Sequence, residues 1–124
     1  MVKQKKKFSV RRLFKSFGYA FRGIRQVIYW EQNAKVHSIA AIGVIAAGLY
    51  FHLSPMEWVA IVIVVGGVFA AETFNTAIEE LSDTVSPEYD VRIKHVKDFA
   101  AGAVLIMAMV AFVVGLLIFI PKIL

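Results

Sequence analysis

Residues 58–71 form a run with no charged or amide side chain, and Glu72-Thr73-Phe74-Asn75-Thr76-Ala77-Ile78-Glu79-Glu80-Leu81-Ser82-Asp83 follows without a break. On a helix at about 100° per residue, Glu72, Asn75, Glu79 and Asp83 fall at roughly 0°, 300°, 340° and 20°, a single narrow stripe. Three carboxylates and an amide then share one face at the end of an apolar segment. In or beside lipid, an uncompensated carboxylate near the bilayer centre costs roughly 2.5–3.5 kcal/mol on insertion scales. Solvation is therefore a poor reason for the stripe, and a site is expected there.

The surroundings of that stripe follow from composition and charge. With 59% hydrophobic residues among 124, the chain exceeds the apolar share of ordinary soluble domains. It reads as an all-α membrane protein of one domain, residues 1–124. Of 14 Lys and Arg residues, ten lie between Lys3 and Lys35, three between Arg92 and Lys97, and one is Lys122, while residues 52–57 carry none. By the positive-inside rule the amino terminus and the 82–98 loop are cytoplasmic and the 52–57 turn faces out of the cell membrane. Orientation thus explains the net charge of +5, and no nucleic-acid partner is needed. The absence of cysteine excludes disulfides, thiolate nucleophiles and zinc–thiolate sites. The long basic amphipathic start is unlike the short charged region of a secretory signal, so the first hydrophobic helix is expected to direct insertion and stay.

Residues 1–7 carry Lys3, Lys5, Lys6 and Lys7 and are expected to form a disordered tail near anionic headgroups. Over 8–30, Val10, Phe14, Phe17, Phe21, Ile24 and Ile28 recur at spacings of three and four among Arg11, Arg12, Lys15, Arg22 and Arg25. That pattern predicts an amphipathic surface helix, in which Gly18 and Gly23 allow either a close approach or a bend. Three membrane helices are predicted next, over 36–53, 58–81 and 91–120. Ser54 is expected to cap the second of them and Pro55 to occupy its first turn, with Trp58 as an outer interfacial anchor. Gly66-Gly67 and Ala100-Ala101-Gly102-Ala103 read as helix-packing residues; Pro87 and Pro121 read as helix stops. At 1.5 Å per residue, Glu72 lies about 21 Å inward from Trp58, near the inner boundary, and Glu79 about 10 Å further on.

Glu31, the Glu72–Asp83 stripe and Lys97-Asp98 all stand at junctions on the inner side, so topology alone puts them at one height. A Mg²⁺ ion typically takes one or two protein carboxylates and leaves its other positions to phosphates and water; Glu31 and Glu79 suit that role. Arg12 and Lys97 can balance phosphate charge, and the deeper, partly desolvated Glu72 can accept a proton from an alcohol. These are the parts of phosphoryl transfer, which is mostly positioning and electrostatics. There is no P-loop and no kinase glycine loop, so the residues themselves lead as far as a metal-dependent site at a membrane surface.

Glu72-x-x-Asn75-Thr76-Ala77-Ile78-Glu79-x-x-x-Asp83, followed by Lys97-Asp98-x-Ala100-Ala101-Gly102-Ala103-Val104-Leu105 and preceded by Glu31-x-Asn33-x-x-x-His37, resembles the small bacterial diacylglycerol kinase family of integral membrane lipid kinases. The resemblance runs from about Arg12 to the end and is nearest to the Gram-positive branch, whose members act as undecaprenol kinases. It implies a homotrimer of three-span protomers with an amino-terminal surface helix, active sites shared between neighbours, ATP and Mg²⁺ as cosubstrates, and a lipid alcohol as acceptor. Carried over by motif, Glu72 is the general base and Asn75 helps to orient it. Glu31 and Glu79 hold the metal, while Arg12, Tyr19, Lys97 and Asp98 contact nucleotide. Glu88, Tyr89 and Asp90 form the loop on its adenosine side, with Asp90 at a position where the diacylglycerol branch carries histidine.

Other readings stand beside these. The acceptor is undecaprenol or, alternatively, diacylglycerol, giving phosphatidic acid. From other classes, a small oligomeric ion-coupled transporter or a non-catalytic assembly subunit could carry such a stripe, but the inner-boundary depth of Glu72 and the one-sided cationic ring disfavour the first, and so many carboxylates at one level would be wasteful in the second. Asp83 either belongs to the site or pairs with Arg92 or Lys94. His37 either contacts the substrate or makes an interfacial hydrogen bond. Glu57, Glu80, His52 and His95 are expected to have no catalytic part.

Overall fold

The computed structural model describes residues 5–124 and is all-helical over them. The four helices are α1 (Val10–Trp30), α2 (Gln32–Tyr50), α3 (Pro55–Val85) and α4 (Val91–Ile123). Of the expected basic tail, residues 1–4 lie outside the described residues, and Lys5, Lys6 and Lys7 precede the first helix in the open.

Helix α1 begins at Val10 rather than Phe8 because the Ser9 side chain accepts a hydrogen bond from the Arg12 N–H and Ser9 is itself extended. Its apolar stripe is divided. Ile24, Val27 and Ile28, with Gly66, Phe69, Ala70, Thr73, Phe74 and Ala77 of α3, line an apolar groove of about 510 Å³. Phe14, Phe17 and Phe21 remain exposed. A Cβ on Gly18 or Gly23 would meet nothing within 4 Å, so neither glycine serves a close approach within the chain.

One residue separates α1 from α2. Glu31 is extended (φ −92°, ψ 124°), its N–H donating to the Val27 carbonyl as α1 ends and its carbonyl accepting from the Lys35 N–H as α2 starts. Helix α2 then stops at Tyr50 instead of reaching Leu53. His52 takes up a left-handed conformation (φ 53°), and the Leu53 N–H returns to the Gly48 carbonyl at 3.2 Å, a Schellman arrangement in which His52 occupies the position usually given to glycine. Because α2 starts with Gln32, Asn33 and Lys35 and ends early, its apolar part covers only about 22 Å. Among the described residues, two helices rather than the expected three, α3 and α4, are long and apolar enough by themselves to cross a bilayer.

Helix α3 is set by the expected cap. The Ser54 hydroxyl accepts from the Glu57 N–H, the Glu57 carboxylate accepts from the Ser54 N–H, and Pro55 stands in the first turn. Hydrogen bonding from the Ser54 backbone, with Lys122 beside it, lowers the Glu57 pKa from its ordinary value. The Lys122–Glu57 ion pair (3.2 Å) ties the end of α4 to the start of α3, and Lys97–Asp83 ties them at the opposite end. These two helices therefore form an antiparallel hairpin, the most extensive packing in the chain. Helix α4 continues through Pro121, since in the last turn the missing N–H removes a single bond.

The apolar core lies toward the end that holds the α2–α3 turn, where Leu53, Ile61 and Ile118 are buried among Val44, Trp58, Ala60, Val65, Val114 and Phe119. Most other large apolar side chains point outward, as in a chain surrounded by lipid or further subunits rather than water. Of the small-residue pairs, Gly67 meets Met107 whereas Gly66 is open, and within 100–103 only Ala100 is buried.

Gly48 sits under Trp58 and Leu53: an added Cβ would lie 2.6 Å from Trp58 Cη2 and 2.9 Å from Leu53 Cδ1. Gly48→Ala should therefore destabilise by about 1–3 kcal/mol through overpacking, despite alanine's better helix propensity, and thermal unfolding in detergent reads the loss directly.

Candidate functional site

The buried face of α3 changes character along its length. Ile61, Val64 and Val68 form its amino-terminal half, and Glu72, Asn75 and Thr76 continue it toward the carboxyl-terminal half. The Glu72 carboxylate is enclosed, and neither of its oxygens has a hydrogen-bond partner among the described residues. Asn75 Oδ1 and Thr76 Oγ1 are likewise buried and unpaired. Four unsatisfied polar atoms on little more than one helical turn are unusual in a folded protein, and each asks for a ligand or a further hydrogen-bonding group.

The predicted residues converge on this point unequally. Asn75 Nδ2 donates to Glu79 Oε1 at 3.2 Å, so the amide is tied to Glu79 rather than to Glu72. Glu31 and Glu79 are close enough to Glu72 to repel its charge, and His37 attracts it only when protonated. His37, one of the undecided residues, lies with Nε2 3.8 Å from Glu72 Oε2. Its ring also lines an apolar cavity of about 100 Å³ between α2, α3 and α4, with Ala40, Ala41, Val44, Val68 and Gly115 among the walls. Thr76 was not singled out from the sequence, yet the 100° rule puts it about 40° from Glu72, and that signal was available.

The second group is at the α3–α4 turn of the hairpin. Asp83 pairs with Lys97, and not with Arg92 or Lys94, the partners that one of its readings offered; Arg92 pairs with Asp90, and Lys94 with Asp98 at 2.6 Å. Helical periodicity could not select Lys97, which faces Asp83 only because α4 folds back along α3. Hydrogen bonding to Asp83 raises the Lys97 pKa, and hydrogen bonding to Asp98 raises that of Lys94. Asp83, Glu88, Tyr89, Asp90, Lys94 and Lys97 line a surface hollow of about 290 Å³, with Tyr89 largely exposed. Asp90 also caps α4, its carboxylate accepting from the Arg92 N–H at 2.8 Å, which lowers its pKa.

Arg12 and Tyr19 have only local partners: Arg12 donates to the Lys7 carbonyl, and the Arg22 guanidinium lies 5.8 Å from the centre of the Tyr19 ring. A single chain does not bring them to the Glu72 group. Glu80 is exposed, as expected, whereas Glu57 and His52 have the structural roles described above.

No group of three or more His, Asp or Glu side chains is assembled to hold a metal among the described residues. Glu31 and Glu79, the two carboxylates expected to hold Mg²⁺, are of the type and number that the ion accepts when phosphates complete its shell.

Comparison with known proteins decides the class. The prokaryotic diacylglycerol kinase profile matches residues 18–119. The chain belongs to that family. Its relatives include the undecaprenol kinase of Bacillus subtilis (strain 168), 42% identical over 111 residues and covering 90% of both chains. A diacylglycerol kinase of Synechocystis is 34% identical over 113 residues, covering 90% of this chain and 65% of that one. The diacylglycerol kinase of Escherichia coli (strain K12) is 26% identical over 102 residues, covering 82% and 84%. Family membership makes the chain a bacterial membrane lipid kinase and sets aside the transporter and assembly-subunit readings. The stripe at Glu72, the Glu31 junction and the Lys97-Asp98 pair lie inside the matched range; Arg12 lies before it.

Asp90→Ala should remove the α4 cap. Because the folded pKa lies below the ordinary 3.8, the carboxylate's contribution is complete above that value and is lost as pH falls through the folded pKa. Circular-dichroism melts should show a lower midpoint for the variant at pH 7, with the gap to wild type starting to narrow only below pH 3.8 and closing as pH falls through the lower folded pKa.

Proposed function

We propose that this protein transfers the γ-phosphoryl group of ATP to the hydroxyl of undecaprenol, giving undecaprenyl phosphate and ADP. The observation that carries this reading is the similarity to an undecaprenol kinase over 90% of both chains. The second reading, diacylglycerol to phosphatidic acid, draws on the names of the more distant relatives.

Glu72 is the general base. Its enclosed carboxylate, free of intramolecular hydrogen bonds, takes the proton of the lipid hydroxyl as the hydroxyl oxygen forms its bond to the γ-phosphorus and the bond to the bridging oxygen of ADP breaks. The apolar groove and cavity on either side of Phe69 provide the low-polarity walls that a lipid chain requires. Asn75, bonded to Glu79, keeps the polar face of α3 in one arrangement. Glu31 and Glu79 would hold Mg²⁺, which when bound offsets charge on the transferring phosphoryl group. Lys97 and Asp98, with Arg12 and Tyr19, contact nucleotide, and Glu88, Tyr89 and Asp90 flank its adenosine side. Because Arg12 and Tyr19 stand away from Glu72 within one chain, a homotrimer whose neighbours share each site fits this assignment. The protomer is one membrane domain, with α2, α3 and α4 as its spans and the amino terminus and site cytoplasmic.

Glu72→Gln should abolish turnover while leaving Mg-ATP binding nearly intact, and wild-type rates in that variant would reject Glu72 as the base. Glu79→Ala should shift the Mg²⁺ titration to higher concentration; an unchanged titration would remove Glu79 from the metal. Purified protein in detergent with radiolabelled ATP should label undecaprenol with a higher kcat/KM than diacylglycerol. The reverse order would favour the second reading, and no labelled lipid from either would sink both.

A further inference from the structure

The Glu72 carboxylate is enclosed with both oxygens unbonded, and a buried charge without a partner is expensive. Glu31, from the α1–α2 break, and Glu79, on α3 itself, repel it. Asn75 is engaged with Glu79, and the Thr76 hydroxyl has no partner. Among the described residues, the one cation-capable side chain within 4.0 Å is His37 of α2. Its ring is confined because it also forms part of the wall of the apolar cavity beside Ala40, Ala41 and Val44.

We infer that His37 is a positioning residue for Glu72, its Nε2–H holding Oε2 so that Oε1 is left to face the lipid hydroxyl. The inference rests on Glu72 being the base. At 3.8 Å the contact is longer than a hydrogen bond. It closes when substrate enters and dries the site, as catalytic hydrogen bonds commonly tighten on binding. A neutral imidazole with its proton on Nε2 performs this role as a donor, and an imidazolium also offsets the carboxylate charge. Either form leaves the proton abstracted from the alcohol on Glu72. The arrangement explains why the residue beside this carboxylate carries a ring nitrogen while the cavity wall behind it is alanine and valine.

The test compares two replacements in the full-length protein in detergent. In His37→Gln the amide nitrogen can stand near the former Nε2, and kcat should remain within about fivefold of wild type. His37→Phe keeps a ring but no donor, and kcat should fall about 100-fold, the scale of a misplaced reacting group. The KM for ATP should change by less than about twofold. Added imidazole should restore part of the turnover of His37→Ala. Equal kcat in the Gln and Phe variants would overturn the inference, as would a loss confined to the KM for ATP. Size-exclusion elution checks assembly; if His37→Phe does not assemble, His37→Leu enters the same contrast with Gln. Glu72→Gln is assayed in parallel. Wild-type turnover there removes the base reading itself, whereas an inactive Glu72→Gln beside a fully active His37→Phe removes only the role of His37.

Discussion

A carboxylate enclosed without a hydrogen bond is the condition to which the rest of this structure answers. Leaving Glu72 in that state costs more than most single interactions contribute to stability, so the surrounding helices have to keep it there. The long α3–α4 hairpin, tied by Lys122–Glu57 at one end and Lys97–Asp83 at the other, supplies the rigidity. The apolar core beside the α2–α3 turn anchors the half of α3 whose buried face carries no polar group. Because one face of α3 changes from Ile61, Val64 and Val68 to Glu72, Asn75 and Thr76, the same packing that buries the apolar half also buries the polar half.

Backbone breaks set the other components. The single extended residue between α1 and α2 is Glu31 itself, so a break in the helix and a carboxylate near Glu72 come from one position. At the far end of α2, His52 in the left-handed region and the return of Leu53 to Gly48 turn the chain tightly enough for Ser54 to start α3. Asp90 both caps α4 and lines the hollow at the hairpin end. In a chain of 124 residues with little interior, residues at element ends also shape the surfaces around the site.

The two ends of the polar face differ in chemistry. Near Glu72 the walls are apolar and the polar atoms unpaired, which suits a lipid hydroxyl arriving with its chain in low-polarity surroundings. At Asp83, Lys94, Lys97 and Asp98 the charges are exposed and paired, which suits a solvated, multiply charged molecule able to exchange one set of ion pairs for another. The helix spans the distance between these environments, so in the proposed reaction Glu72 and Glu79 have different roles although they share a stripe.

The sequence by itself determined the helical class, the Ser54–Pro55 start of α3, and the common face of Glu72, Asn75 and Glu79. These depend on periodicity and capping, which are local. It also carried the lipid-kinase family through the motifs around Glu72 and Lys97. Only the tertiary structure decided that Asp83 meets Lys97, that His37 lies beside Glu72, that Asn75 bonds Glu79, and that α2 ends at Tyr50. Each of these depends on how one helix is placed against another or how the chain turns between them. Sequence spacing fixes which face a residue occupies, but not which face of another helix is brought opposite it.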